Sequence, residues 1–485
     1  MTPSSLSNLL PRRAPRLQQA LLLAGVLSLA ACANFSGINP HAQALTAEQL
    51  NLQGTAKTEI SAQWWESFGD AQLNRLVADA LANSPSLRVA QTRLERVQAA
   101  QDSLRGSEGP QLNASLDMTR QLFSATSIYP PPLGGSVRNI GTLQFSGSWE
   151  MDFFGKNRAA LNAALGQEQA ALADAQAARM LLASSVARTY FQLVRIEAQL
   201  GIAKRTLAQR EQNRNLVQDR VTAGLDTQLE LQQSAGALPE ARLQIEILQE
   251  QKQLALNALA ALTSKPNTAL ALDIPAQAAI KSVALSASMP MDLLARRPDI
   301  AAAKQRVRAA SSEIDVAKAQ FYPNINLIAF TGLSAIGFDK LTDAGSEQWG
   351  VGPAIRLPIF DGGRLRANLR SRTADLDAAI ESYNSVVIDA VHDVADQIAS
   401  TQAIQKQQAE QTQAQANAET AYSIATQRYQ AGLGTYLHVL AAETAVLAQR
   451  RQAADLQARV LDTQVQLMRA LGGGHQDTSA TLAKR

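Results

Sequence analysis

The chain has 485 residues, with 45 Lys+Arg against 42 Asp+Glu, and only 5% of its residues are aromatic although 46% are hydrophobic. This near balance of charge, without a basic cluster along the chain, gives no sign of a nucleic-acid partner. The apolar mass is mostly Ala, Leu and Val, which favours close-packed helices over a β-rich globule.

The amino terminus is ordered like an export signal. Arg12, Arg13 and Arg16 precede an apolar run over 17–31, broken only by Gln18, Gln19 and Ser28. A basic start, a short apolar centre and small residues at its end predict a secretory signal peptide over 1–31. The run is too short to cross a bilayer, which takes about 20 apolar residues. Cys32, the single cysteine of the chain, follows directly. One cysteine makes no internal disulfide, so an exported chain that keeps it has another use for it. The tetrad Leu29-Ala30-Ala31-Cys32 resembles the lipobox of bacterial lipoproteins. That resemblance implies a diacylglycerol on the Cys32 thiol, cleavage before it and acylation of the new amino terminus. Each buried lipid CH₂ contributes about 0.8 kcal/mol, so several acyl chains together anchor stably. Ala33 stands where inner-membrane lipoproteins of many Gram-negative bacteria carry Asp, which implies an outer-membrane address. Residues 1–31 hold three arginines and no acid, so the mature chain is neutral, with 42 charges of each sign. Residues 32–63 are then a lipid-anchored amino-terminal segment.

A first block covers 64–263. Pro85 suits the first turn of a helix, where a missing N–H costs nothing, and helical periodicity continues to about Arg105. Strict alternation follows over about 111–122. Leu112, Ala114, Leu116, Met118 and Leu122 interleave with polar neighbours, and Arg120 is the one charge in the apolar register. Over about 142–153 the phase reverses, with Leu143, Phe145, Trp149 and Met151 against Gln144, Ser146, Ser148 and Glu150. Both segments predict strands with one greasy and one wet face. A proline-free helical stretch of nearly seventy residues, 155–223, comes next and ends at Gly224, placed as a C-cap. At about 1.5 Å per residue it is roughly 100 Å long. A return helix over 227–262 carries Pro239, where a kink or break is expected. A linker over 264–288 reads as irregular.

The remainder repeats this order over 289–472, before a tail over 473–485. "SPSLRVAQTRLERVQAAQDSLRGSEGPQLN" aligns without a gap to "RPDIAAAKQRVRAASSEIDVAKAQFYPNIN" at an offset of 213. "MDFFGKNR" matches "LPIFDGGR" at 206, and "RVTAGLDTQLEL" matches "RYQAGLGTYLHV" at 208. Three blocks in one order make this a duplication. Each copy is helix–strand–strand–helix–helix. In the second, the strands lie at about 324–331 and 349–359, and Gly432 takes the place of Gly224.

The predicted class is mainly α with transmembrane β. Four amphipathic strands cannot close a barrel in lipid, and open edges leave backbone groups unsatisfied there. Three chains supply a twelve-stranded barrel. Leu143, Phe145, Trp149 and Met151 would face lipid, with the long helices continuing the wall as a hollow periplasmic α-barrel.

The blocks "WWESFGDAQLNRLVADALANSPSLRVAQTRLE", "WEMDFFGKNRA", "LPIFDGGRLRA" and "RYQAGLGTYLHVL" together resemble, over 64–472, the outer-membrane factors of tripartite efflux systems. This is the TolC/OprM-like family and, with the lipobox, its NodT-type lipoproteins. The resemblance implies a homotrimer set in outer-membrane lipid, docked to a periplasmic adaptor (membrane fusion) protein and an inner-membrane RND-type pump. It implies an exit duct for drugs and other small amphiphiles, passive and without cofactor; the alternative on the same fold is a type I protein secretion channel. By the same resemblance the turns at Gly224 and Gly432 are the adaptor-docking tips. Related proteins often carry Asp where this chain has His438 and Ala441. The periplasmic gate is therefore expected among Asp226, Glu230 and His438, or in a constriction formed by Leu433, Leu437 and His438. Glu443 is a further acid near the tip. No catalytic constellation is present, and His41, His392, His438 and His475 are too scattered for a metal site.

Overall fold

A computed structural model describes residues 34–46, 48–50, 60–266, 272–281 and 297–474. The signal segment, Cys32, part of the linker and His475 lie outside the described residues. The chain forms two compact units, and each draws on both sequence copies.

The first unit comprises Glu95–Glu168, Gln305–Glu381 and the described part of 1–43. It contains a four-stranded antiparallel sheet in the order β1-β2-β3-β4: β1 Gln111–Leu122, β2 Val137–Met151, β3 Asn324–Ile336 and β4 Glu347–Arg356. The central pairing, β2 with β3, joins the two copies across the duplication. Strand β2 begins five residues before the alternation in sequence does, pairing Val137 with Leu122. Gly141 hides this extension, because Leu341 and Phe338 fill the space beside it instead of a side chain of its own. The strand stops at Met151, where Asp152 turns to accept the Arg158 N–H at 2.9 Å at the start of the next helix. Strand β3 also outruns its sequence signal, and β4 ends at Arg356, shortly before Pro358.

Residues 34–46 form a strap whose first part belongs to this unit. Phe35 meets Phe321 edge-on with ring centres 5.0 Å apart. The Arg366 guanidinium donates to the Asn34 and Ser36 carbonyls at 2.8 and 3.1 Å. Asp377 accepts the backbone N–H groups of His41 and Ala42 at 2.9 and 3.0 Å.

The second unit comprises the described parts of Ala44–Leu94, Gln169–Lys304 and Ser382–Arg485. The helices of the chain are α1 Ala71–Asn83, α2 Pro85–Glu108, α3 Lys156–Thr222, α4 Gln228–Thr263, α5 Pro298–Ala319, α6 Arg364–Gln430 and α7 Tyr436–Ala470. The core of the second unit gathers Trp64, Phe68, Leu73 and Val77 against Tyr190, Phe191 and Val194 of α3 and Leu461 and Val465 of α7. Each such large side chain fully buried contributes about 1.5–3 kcal/mol. Asp70 caps α1, accepting the N–H groups of Gln72 and Leu73 at 2.8 and 3.2 Å, and also takes the Tyr190 hydroxyl at 2.6 Å. Buried Arg297 donates to Asp299, Asp393 and the Ala470 carbonyl at 2.7, 3.3 and 3.4 Å, which ties α6 and the end of α7 to the start of α5.

Pro239 does not break its helix; α4 runs unbroken from Gln228 to Thr263. Around Pro239, Ser234, Ala237 and Ala241 are buried, and Arg210 donates to the Ala237 carbonyl at 2.8 Å, which holds this stretch against α3. Among the described residues, no helix is long and apolar enough to cross a membrane.

Candidate functional site

Two regions carry the chemistry, one in each unit. In the first unit the strand register sorts side chains by face. Leu116 pairs with Leu143, Phe145 with Thr331, Trp149 with Leu327 and Met151 with Ile325, and on the far side Ala329 pairs with Val351 and Ile325 with Ile355. Directly paired residues share a face, so Leu143, Phe145, Trp149 and Met151 stand with Leu112, Leu116, Trp349, Val351 and Ile355 on one side. Much of this face is open: Leu112 is 76% exposed and Trp349 77%. A monomer that leaves so large an apolar patch uncovered needs a lipid or protein neighbour. The opposite face presents Asn113, Ser115, Gln144, Ser146, Ser148 and Glu150, with Asn324 donating to Glu150 at 2.8 Å and Gln348 to Gln144 at 3.4 Å. At the foot of β2, Glu150 also pairs with Lys156 at 2.5 Å.

In the second unit, the two helix hairpins turn by the same device. Gly224 and Gly432 both adopt φ +72°, a left-handed conformation that only glycine takes without strain. The Gly224 and Leu225 N–H groups reach back to Val221 and Arg220 carbonyls at 3.0 and 2.8 Å. Those of Gly432 and Leu433 reach Tyr429 and Arg428 at 3.0 and 2.7 Å. Both are Schellman caps. Four leucines ring the turns, Leu225, Leu229, Leu433 and Leu437, each 63–70% exposed.

The copies diverge on both sides of the turns. Asp226 in the first corresponds to Gly434 in the second, Val221 to Tyr429, and Glu230 to His438. Arg220 holds Asp226 through two bonds, 2.9 and 3.4 Å, with its guanidinium carbon 4.7 Å from the centre of the Tyr429 ring. The Tyr429 hydroxyl donates to the same carboxylate from the other hairpin. Partial burial pushes the Asp226 carboxyl up, yet the bonds from Arg220 and Tyr429 and the guanidinium charge outweigh it and hold it below the ordinary carboxylate range. Burial first, then the bond to Asp226, push the Tyr429 phenol well above its usual value. Beneath lie Val217, Tyr436 and Val439, all buried.

The other tip residues make no hydrogen bond to Asp226, although its charge reaches the Glu230 carboxyl. Glu230 closes a capping box with Thr227, accepting its N–H at 3.0 Å, and the Thr227 bond holds its carboxyl low. The His438 ring lies 3.2 Å from the Thr435 hydroxyl, an exposed local contact. Glu443 is buried and paired with Arg210 at 3.2 Å, which joins α7 to α3. Arg220 and Tyr429 had no mark in sequence: Arg220 recurs as Arg428 in the second copy, and aligning the copies shows only that the acid Asp226 and the phenol Tyr429 each occur in one copy. Among the described residues, no group of three His, Cys, Asp or Glu could hold a metal ion.

The chain matches the family described as outer membrane efflux protein over residues 76–265 and 289–473. It is 34% identical to the putative multidrug resistance outer membrane protein MdtQ of Escherichia coli, over 93% of this chain and 97% of that one. It is 33% identical to the toluene efflux pump outer membrane protein TtgF of Pseudomonas putida, over 86% of each. Among solved structures, the outer membrane protein VceC of Vibrio cholerae superposes with a TM-score of 0.80 at 36% identity, over 85% of this chain and 99% of that one. The sheet pairs strands from both sequence copies, and α3 and α6 are each 67 residues long; the chain belongs to the outer membrane efflux protein family, and it is an outer-membrane efflux channel.

Proposed function

We propose that three copies of this chain close into a twelve-stranded barrel in the outer membrane, continued by a periplasmic tube of helices. The observation that carries this is the sheet. Its order ends at β1 and β4, and among the described residues neither outer edge is paired. Its outer face is apolar and exposed. Edges open in lipid are untenable, and four strands are too few to close alone. Pairing β1 of one copy with β4 of the next satisfies both edges and places the apolar face against lipid.

The duct then carries small amphiphiles such as drugs or solvents outward, passively, from an inner-membrane RND-type pump through a periplasmic adaptor. Relatives named for multidrug resistance and toluene efflux support that substrate class. The exposed leucines around Gly224 and Gly432 are the surface offered to the adaptor. The Arg220–Asp226–Tyr429 cluster is the latch that holds the two hairpins together at the narrow end. Lipid on Cys32 anchors the assembly; the strap shortly after it in sequence is held to the first unit by Phe35, Arg366 and Asp377.

Reconstitution in planar bilayers, paired with drug-susceptibility profiling of a deletion strain, tests this reading. Discrete ion-conducting channels and a sensitised strain are expected. Purified protein that stays monomeric and silent in bilayers, with unchanged susceptibility, would overturn it.

A further inference from the structure

The wet face of the sheet carries apolar side chains at two places: Ile140 pairs with Ile336 at the end away from Met151, and Ile328 and Phe330 stand midway along β3. Register sets Ile328 of β3 opposite Ser148 and Gly352, and Phe330 opposite Ser146 and Gly350. Both apolar side chains therefore stand on the face of Gln144, Ser146 and Ser148, not among the outward leucines. They are 38% and 36% exposed. In the first copy the matching positions are Ser115 and Asp117, so the second copy alone carries the apolar pair.

The neighbours leave room for it. A Cβ built at Gly350 would lie 2.6 Å from the edge of the Phe330 ring, so the ring occupies the space a side chain would fill. Each apolar group is thus flanked across both strand pairings by Ser or Gly. The result is an aromatic surface surrounded by hydroxyls and amides, a pattern that meets an amphiphile with both halves of its chemistry. Water alone gives no reason to keep a phenylalanine on such a face, since burying its side chain is worth about 1.5–3 kcal/mol.

We propose that Phe330, seated over Gly350 and supported by Ile328, is a specificity-determining contact of the duct wall for the aromatic or apolar part of the transported solute. This deepens the channel reading and rests on it, since the wet face must line the lumen. A purely structural role, with the ring covering a strand glycine, predicts a different outcome.

The test uses full-length trimers in planar bilayers, with tetraphenylphosphonium as aromatic cation and tetramethylammonium as polar control. In wild type, the aromatic cation should block the current at the lower concentration. Phe330→Ser should raise its half-blocking concentration about fivefold to tenfold, the scale of one lost aromatic contact, and leave the control unchanged. Gly350→Ala, which dislodges the ring, should act in the same direction. Equal block in wild type and Phe330→Ser, with conducting trimers, would refute the contact and leave the channel reading standing. Loss of heat-stable trimers in Phe330→Ser would favour packing. Phe330→Leu then decides: a weaker block by the aromatic cation supports the contact, and an unchanged one removes it. A wild-type protein that does not conduct at all would remove the duct itself.

Discussion

The hydroxyl of Tyr429 donates a hydrogen bond to the carboxylate of Asp226, 203 residues away in the chain, and so ties the tip of the second hairpin to that of the first. Arg220 grips the same carboxylate from its own helix, and the Arg220 and Asp226 side chains are only 14% and 11% exposed. One carboxylate thus serves two partners in a largely dry corner.

As the latch, this cluster should set the resting conductance. Asp226→Asn and Tyr429→Phe are each expected to raise it, because hydrogen bonds to a charged group contribute about 1.5–3 kcal/mol. Such a loss shifts a closed–open balance roughly tenfold or more. Single-channel recording checks this. The pH dependence has a definite sign. A carboxyl held below its unfolded value stabilises the latch above the ordinary carboxylate range, and that contribution is lost as pH falls through the lowered value. Conductance should therefore rise in acid, below about pH 4, and Asp226→Asn should abolish the step.

The tip glycines make a separate prediction. Gly224→Ala and Gly432→Ala force a side chain into a left-handed turn, at a cost of about 1 kcal/mol each. Trimers should still form, because the core lies elsewhere. Capture of the periplasmic adaptor in pull-down should weaken severalfold, and drug resistance in complemented cells should fall with it.

Charge on the two faces of the sheet should be tolerated unequally. Phe145→Lys places an ammonium on the apolar side, which costs about 2–4 kcal/mol near the bilayer midplane. Ser146→Lys places it one residue along, on the wet side. Heat-stable trimers in outer-membrane fractions should be depleted in the first variant and near normal in the second. Equal yields would mean that the faces are assigned wrongly.

Cys32 is expected to take the lipid. Cys32→Ser should abolish incorporation of a clickable fatty acid and reduce retention in the membrane fraction. It should leave channel conductance within about twofold in reconstituted trimers, since two acyl signals anchor but do not build the pore.

Much of the fold was legible because duplication repeats its own evidence. The alternation at Leu112–Leu122 and Leu143–Met151, and the glycine-stopped helices, each state a period plainly. The second copy was harder to read for a physical reason: Ile328 and Phe330 put apolar groups on the wet face, and Gly332 interrupts the pattern where β3 continues to Ile336. The break expected at Pro239 as one of two outcomes does not occur, since local propensity does not register the buried contacts of Ser234, Ala237 and Ala241 on the same helix. The tip was half legible. Asp226 stood out as an acid beside a turn, but its partners did not, since Tyr429 lies in the other copy and only the fold brings it near. Glu230 and His438 occupy matching positions in the two copies, and in space Glu230 closes the cap of its own helix while His438 meets only the Thr435 hydroxyl.

Cysteine cross-linking between the sheet edges probes the closed trimer most directly. Cysteines placed singly along β1 should be combined with cysteines along β4 in full-length protein, oxidised in membranes and run under denaturing conditions. Closure of β1 on β4 of the next copy predicts, for matched pairs only, a ladder that ends at three chains, with the third band resistant to dilution before oxidation. A ladder running past three chains, or monomer for every pair, would contradict it.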